Sequence, residues 1–524
     1  FLNLGKMVRD KGKGLDLYTD GLIKKLYFKT IAYYSDPRSW DPDRLGYHHS
    51  GGDLGSMDTV NFYANWVPIQ EMADWLEPWA GKGIKPLFLV EFGVPLSWDW
   101  TMYRGWYKGE REFGSGVVPW ENCLAEWNAQ FLGDRAFGIP EEEKRNLRWE
   151  ARQFREGNLW HRWDYPVQVG QDRNEGRQEI MARYFTAELR AFRAWGLSGV
   201  CVWDDSNYWT LRPEADRNRK EIAVDWDRLQ RPGFSPDYLG ERFDSFEMAY
   251  ERAEWTPTVA GRALIRNNGA LLGWIAGAPS AVTGQDHDFR AGETVEKTLI
   301  VSNNSRATVS CAVSWTLALP APVTGKKTLR IATGDQARIP LALGLSASLP
   351  PGAYALSASF RFGDGTVQED AFPLRVLPEA PRPALSGRIA LFDPQGETAR
   401  LLDGLGVKCD RVERGADLSE YGLVIVGRGA LTPDGPGPDL APVRRGLRAI
   451  VFEQTRETLE RRLGFRAVEY GLRNVFPRVP DHPLLAGLDA DALHDWRGSA
   501  TLTPARRAYK LTEMHGPTVQ WCGI

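Results

Sequence analysis

The chain has 524 residues, with 65 Lys and Arg against 68 Asp and Glu, a formal net charge of −3 and 11% aromatic residues. That length exceeds what one core can organise and predicts several domains, while the balanced charge gives no reason to expect a polyanionic partner such as nucleic acid. No apolar run approaches the ~18 residues of a membrane span. The cysteines (Cys123, Cys201, Cys311, Cys409 and Cys522) are scattered and odd in number, and the histidines lack metal-ligand spacing, so no disulfide framework, metal or other cofactor is expected.

In chain order, the sequence opens FLNLGKMVRD without an initiator methionine or a signal segment, and it ends TVQWCGI. It therefore reads as a fragment, with any export signal for an extracellular or periplasmic location lying outside it. Leu22–Tyr34 has helical periodicity and DPRSWDPDR breaks it. LGYHH, up to His49, is a short strand candidate followed by the turn-rich SGGDLGS, and TVNFY (Thr59–Tyr63) is a second strand. Pro68 starts a helix with Met72, Trp75, Leu76 and Trp79 at helical spacing, which Gly81 and Gly83 stop.

The next strand, KPLFLVEFG, is apolar from Leu87 to Val90, as a parallel strand covered by helices requires. At its end sits a carboxylate, Glu91. The bland interpretation is a last residue turned to solvent. The functional one is a catalytic group at the carboxyl end of a barrel strand. A long insertion, roughly 94–177, holds the aromatic clusters SWDWTMYRGWY and LWHRWDY and predicts helices near Glu121–Arg135 and Glu141–Arg155. A helix over Glu179–Trp195 and a strand over Ser198–Trp203 follow. Four parallel strands result, too few to close a barrel, so the other half is expected upstream of Phe1. Fifteen of the 21 tryptophans precede residue 211, many beside polar residues, a texture that suits sugars as well as an aromatic core.

NFY, then a helix, then KPLFLVEFG, then a strand ending in Trp resembles strands six to eight of retaining glycoside hydrolases with a (β/α)₈ barrel. The similarity is to the family 2-like, β-galactosidase-like members, and DPDRLGYHH resembles their fifth strand. It covers about residues 20–210. The resemblance implies that Glu91 is the nucleophile, that Tyr63 hydrogen-bonds it, and that Trp203 floors the sugar subsite. It adds Asn61, His49 and Trp98 as sugar-facing residues. The usual acid/base Asn-Glu pair of strand four is missing. The only Asn-Glu, Asn174–Glu175, falls in the insertion, and Glu121, Glu126 and Asp164 are fallback acids.

Residues 1–215 thus read as the C-terminal half of a TIM barrel, and 216–255 as a polar connector. Over 256–378, short alternating strands separated by NNS, PPG and GDG predict an antiparallel sandwich resembling immunoglobulin-like accessory domains. Over 384–524, strands at Arg388–Phe392, Leu423–Val426 and Ala449–Phe452 alternate with helical segments at Glu397–Leu405 and Ala441–Leu447. This part resembles a flavodoxin-like, glutamine-amidotransferase-like domain. Its strand runs into Phe452–Glu453–Gln454 where an amidotransferase carries its elbow Cys, so it is expected to be silent and at most to make homo-oligomer contacts. The fold expected is multidomain: α/β, then all-β, then α/β. The function implied is retaining hydrolysis of a β-linked carbohydrate. The alternative is a non-catalytic carbohydrate-binding or scaffolding module.

Overall fold

The computed structural model describes residues 57–63, 69–82, 85–95, 128–129, 131–138, 140–158, 164–167, 175–203, 208–216, 252–379, 385, 387–464, 473–477 and 479–495. The expected helix at Leu22–Tyr34, the strand ending at His49 and most of the connector lie outside these residues. The described fold is mixed α/β. Among its residues no helix is long and apolar enough to cross a membrane.

The first region is a half-barrel sheet of three parallel strands, β1 (Asp58–Tyr63), β2 (Leu87–Gly93) and β3 (Gly199–Val202), in that order. Two short helices, α1 (Ile69–Ala73) and α2 (Glu77–Lys82), connect β1 to β2. The insertion contributes α3 (Glu141–Glu156), close to the expected bounds, and a 3₁₀ turn at Gly133–Phe137. Helix α4 (Glu175–Ala194) then leads to β3. Its apolar residues at helical spacing, Ile180, Met181, Tyr184, Phe185, Leu189 and Phe192, are all buried in one cluster with Val60, Phe62, Leu89 and Phe92 of the sheet. Phe192 meets Phe92 edge-on at 5.0 Å and Phe62 at 6.0 Å, the geometry that aligns ring edges with ring faces. Helix α4 ends in a Schellman motif: Leu197 N donates to Phe192 O and Gly196 N to Arg193 O, with Gly196 at φ +75°.

A small ribbon of β4 (Trp209–Leu211) and β5 (Trp255–Pro257) precedes helix α5 (Val259–Asn267), which lies against α4. Thr258 caps α5 through a bond from Gly261 N, and Gly261 is needed because a Cβ there would collide with the Tyr208 carbonyl. Two sheets follow. One has three strands in the order β11 (Gln336–Gly344), β8 (Thr294–Asn303), β6 (Leu271–Ala276). The other has five: β10 (Val323–Ile331), β9 (Val309–Leu317), β12 (Gly352–Phe362), β13 (Val367–Leu377) and β7 (Asp288–Arg290). Alternate residues of both sheets, such as Leu299 and Val301 from β8 and Leu356 and Phe360 from β12, share one core. The strands of this part begin at Leu271; the residues from 256 to 267, expected within it, form β5 and α5 instead and pack with the first region.

A clip joins α4 to these sheets. Arg190 donates to both carboxylate oxygens of Asp370 on β13, at 3.0 and 3.1 Å, and to Asn267 Oδ1 at 3.0 Å; Asp370 also accepts from Ile275 N at 2.8 Å. The last carbonyl of α4, on Ala194, accepts from Arg338 and Gln336 of β11, so an orphan group at a helix C-terminus is met by a cation.

The last region is a parallel sheet in the order β15 (Asp410–Arg411), β14 (Ile389–Phe392), β16 (Leu423–Val426), β17 (Arg448–Val451), with helix α6 (Glu397–Gly404) after β14. The helical segment expected at Ala441–Leu447 is a single 3₁₀ turn over Ala441–Arg445, held short by Pro442 at its start and Gly446 in the left-handed conformation at its end.

Two expectations for stability follow from this packing. Asp370→Ala strips a partly buried guanidinium of its bidentate partner and Ile275 N–H of its acceptor, and should destabilise the protein by about 2–3 kcal/mol in chemical denaturation. Asp370→Asn, which keeps one acceptor, should cost less. Glu188 on α4 is fully buried, and neither carboxyl oxygen has a hydrogen-bond partner among the described residues. Burial first, and the nearby Asp74 second, raise its pKa well above the ordinary range. An unfolded glutamate releases its proton near pH ~4.3 while the folded one keeps it, so this site lowers stability as pH rises from there. Glu188→Gln should therefore be more stable than the parent at pH 8, with the difference shrinking toward pH 4.

Candidate active site

Strand β2 carries one extra residue relative to both neighbours. Against β1 the register runs Val60 with Leu89, then Asn61 with Glu91; against β3 it runs Leu89 with Val200, then Phe92 with Val202. This is a β-bulge at Val90–Glu91. Its effect shows in the core. Leu87 and Leu89 face α4, as alternation demands, and the next residue in that cluster is Phe92 rather than residue 91. Without the bulge, Glu91 would be driven into the aromatic cluster under α4. With it, Glu91 emerges on the other face of the sheet, half-buried, beside Asn61 on β1. Bulges next to active sites commonly re-aim a side chain in this way.

The same alternation places β3. Val200 and Val202 pack toward the α4 side, which puts Cys201 and Trp203 on the face shared by Asn61 and Glu91. Both are exposed, Trp203 at 38%. Trp203 N donates to Phe92 O at 2.8 Å, and its carbonyl accepts from the Tyr208 hydroxyl at 3.2 Å. Tyr208 is itself fully buried, edge-on to Phe185 at 4.9 Å. The backbone that presents Trp203 is thus fixed from the core. Sequence reasoning missed Tyr208 and Cys201. The SNYW stretch after Asp204–Asp205 carried a signal for the first, an aromatic hydroxyl close behind a strand end.

Of the predicted site residues, Asn61, Glu91 and Trp203 come together on this face. Tyr63 ends β1, its backbone paired with Gly93; its side chain lies outside the described residues, as do His49 and Trp98 entirely. The fallback acids Glu121 and Glu126 are likewise outside them. Asp164 is exposed, in the insertion. Other carboxylates of the insertion serve its own packing: buried Glu143 pairs with Arg177 at 3.4 Å, and Glu150 accepts from Tyr165 at 3.1 Å. No group of three or more His, Cys, Asp or Glu among the described residues could hold a metal.

The other place to seek a site is the carboxyl edge of the last sheet. There, order reverses between β14 and β16, where open parallel sheets hold ligands. That crevice is bridged from within. Gln395 donates to Gly429 O at 3.1 Å, and Arg428 pairs with Glu397 at 3.4 Å and Glu453 at 3.1 Å. Gln454, at the position of an elbow nucleophile, is 6% exposed; it donates to Gly427 O and Phe452 O and accepts from Leu431 N. Its amide serves as a cross-link. Cys409 lies elsewhere, half-buried, and burial together with Asp403 and Asp410 raises its thiol pKa, which disfavours the nucleophilic thiolate.

No protein-family profile matches the chain, and no curated protein matches it. Solved structures match it in part. The CARDB domain of a Pyrococcus furiosus protein is 15% identical, with a TM-score of 0.16, over 20% of this chain and 87% of that one. A family 123 glycoside hydrolase from Clostridium perfringens is 13% identical, with a TM-score of 0.15, over 26% of this chain and 32% of that one. A β-glucosidase from Listeria innocua is 13% identical, with a TM-score of 0.16, over 31% of this chain and 22% of that one. This chain therefore spans a third or less of either hydrolase, and TM-scores this low fix neither fold nor function.

The three thiols rank differently in environment. Cys201 is exposed on the face of Glu91, Cys409 is half-buried, and burial pushes the Cys311 thiol up to about 11. Peptide-resolved alkylation at pH 8 should modify Cys201 first, at least ~10-fold faster than Cys409, and Cys311 only on unfolding. Equal rates for Cys201 and Cys311 would contradict the placement of β3.

Proposed function

We propose that the chain carries the nucleophile side of a retaining glycoside hydrolase that acts on β-linked carbohydrate, as part of a (β/α)₈ barrel of the β-galactosidase-like kind. One observation supports it most: the β2 bulge turns Glu91 out of the α4 core onto the sheet's other face, with Asn61 alongside and exposed Trp203 one strand over. A carboxylate at the carboxyl edge of parallel strands, beside an amide and an exposed indole, is the equipment for holding a sugar ring against a nucleophile. The later regions are accessory in this reading: an immunoglobulin-like sandwich as spacer, then a flavodoxin-like, amidotransferase-like domain without glutamine chemistry.

In the reaction, Glu91 attacks the anomeric carbon, and the glycosidic C–O bond breaks as the leaving oxygen takes a proton from a second carboxyl group. Water then cleaves the resulting glycosyl ester, giving up its proton to that same group, and two inversions make net retention. The two carboxyls should stand about 5–5.5 Å apart. Asn61, level with Glu91 on the next strand, is placed to hydrogen-bond the hydroxyl next to the anomeric centre. Trp203 offers its ring to the apolar face of the sugar. The proton donor is not assigned to any described residue.

Activated substrates isolate the nucleophile from the missing assignment, because a good leaving group needs little acid assistance. Incubation with 2,4-dinitrophenyl 2-deoxy-2-fluoro-β-glycosides should add one glycosyl mass to the peptide containing Glu91, and Glu91→Gln should prevent it. With ordinary dinitrophenyl β-glycosides, Glu91→Ala should lower turnover roughly 10⁴-fold or more, with azide restoring part of it. Sugar binding that protects Cys201 from alkylation, without any labelling of Glu91, would replace the catalytic reading by a carbohydrate-binding one.

A further inference from the structure

Far from the β2 bulge, residues 473–495 return to the first half of the chain and form a closed loop. Its neck is an antiparallel contact: Val475 N donates to Leu493 O at 2.8 Å, and Asp495 N to Arg473 O at 2.7 Å. The loop roofs a cavity of about 750 Å³ whose other walls are α1, the outer face of α4 and β6. The charges lining it are matched within the wall, Arg190 with Asp370, Arg183 with Glu179 and His494 with Asp495, so the cavity itself selects no charged ligand. What stands out is the fastening. His287, just before β7, and His494, in the loop's neck, stack face to face with ring centroids 4.3 Å apart and planes 9° from parallel.

We propose that this histidine stack is a proton-sensitive clasp that holds the 473–495 loop over the cavity near neutral pH and lets it go in mild acid.

The tautomers follow from the partners. His287 Nε2 lies 2.9 Å from the Asp491 carbonyl oxygen, which can only accept, so Nε2 carries the hydrogen. Nδ1 then holds a bare lone pair, and it is buried with no hydrogen-bond partner among the described residues. His494 Nδ1 lies 3.0 Å from an Asp495 oxygen and donates to it. That hydrogen bond, opposed by burial and helped by the acidic charges of Asp495, Asp491 and Asp288, raises the His494 pKa above its ordinary value. The first proton therefore belongs to His494. A second, on His287, would set two cations face to face at 4.3 Å and create a buried Nδ1–H with nothing to receive it.

The other charges around the stack do not change this order. Asp288 comes within 3.7 Å of His287, but at Nε2, which is already protonated. From β8, the Lys297 ammonium donates to Asp286 O at 2.7 Å and sits over the Phe372 ring. From β13, Arg375 is engaged by Asp489 of the loop, a second clip that does not titrate in this range. From α1, Gln70 reaches Asp495 at 3.4 Å.

The two titrations pull in opposite directions. His494, with its raised pKa, contributes holding that is complete below its unfolded value and fades as pH rises through the folded one. The second proton, taken up at lower pH, prises the rings apart. Loop retention should thus peak near neutrality and fall on both sides, a coupled behaviour of the pair. Hydrogen exchange between pH 5 and 9, corrected for intrinsic rates, would measure it. The protection of the amides of residues 486–495 should peak and then drop up to tenfold per pH unit on the acid side, while β8 and β12 amides in the same sample stay protected. His287→Phe should weaken retention at every pH and erase the acid limb only. His494→Gln should erase both limbs, and Arg375→Met should lower the curve without changing its shape. A flat profile in the parent, or an acid limb that survives His287→Phe, overturns the clasp.

Discussion

Helix α4 is buried on two sides, and the bidentate Arg190–Asp370 pair is what makes the second side tenable. One face of the helix packs its aromatic residues on the half-barrel sheet, which demands apolar side chains at helical spacing. The opposite face meets the two stacked sheets, and there the helix presents Arg190 and Arg193 rather than more apolar surface. A guanidinium in such a place is costly unless every donor finds an acceptor, and Arg190 finds Asp370 and Asn267 from two different elements. The same carboxylate receives Ile275 N–H, so one residue of β13 fixes α4, α5 and β6 together. The position of the half-barrel against the stacked sheets follows from that convergence, and so does the cavity between them.

Within the half-barrel, a second constraint decides the chemistry. Strand β2 must satisfy α4 on one face and yet present a carboxylate on the other. Regular alternation from Leu87 cannot do both, because it would bring Glu91 to the helix side. The extra residue at Val90 resolves the conflict and leaves Phe92 to close the core. Tyr208 then fixes the next strand end from beneath by bonding the Trp203 carbonyl. The candidate site is thus built on paired strands and on a buried hydroxyl, which is the rigid support that catalysis requires.

The last sheet makes an instructive contrast. It has the parallel order with a reversal between β14 and β16, the arrangement that elsewhere opens a crevice for ligands. Here Gln395, Arg428 and Gln454 fasten the strand ends to one another. A site and its structural counterpart can occupy the same place in a fold, and the side chains at the strand ends decide between them.

The sequence by itself determined the elements. Apolar runs ended by Gly or Pro marked β1, β2 and β3, helical spacing marked α3 and α4 within a few residues, and period-two alternation marked β8, β9, β12 and β13. It also singled out Glu91, because a carboxylate directly after four apolar residues is legible without any fold. It did not locate α5, whose short amphipathic stretch VAGRALIRN gains its helix from packing on α4. Nor could it reveal the bulge: Leu87 to Val90 is apolar at every position, so no alternation exists from which to read which face Glu91 would take. Only pairing with β1 and β3 decided that. The Arg190–Asp370 clip and the His287–His494 stack were equally out of reach, joining residues 180 and 207 positions apart in the numbering. Local periodicity records what a residue's neighbours in the chain require of it, and these contacts are set by which surfaces meet once the elements have packed.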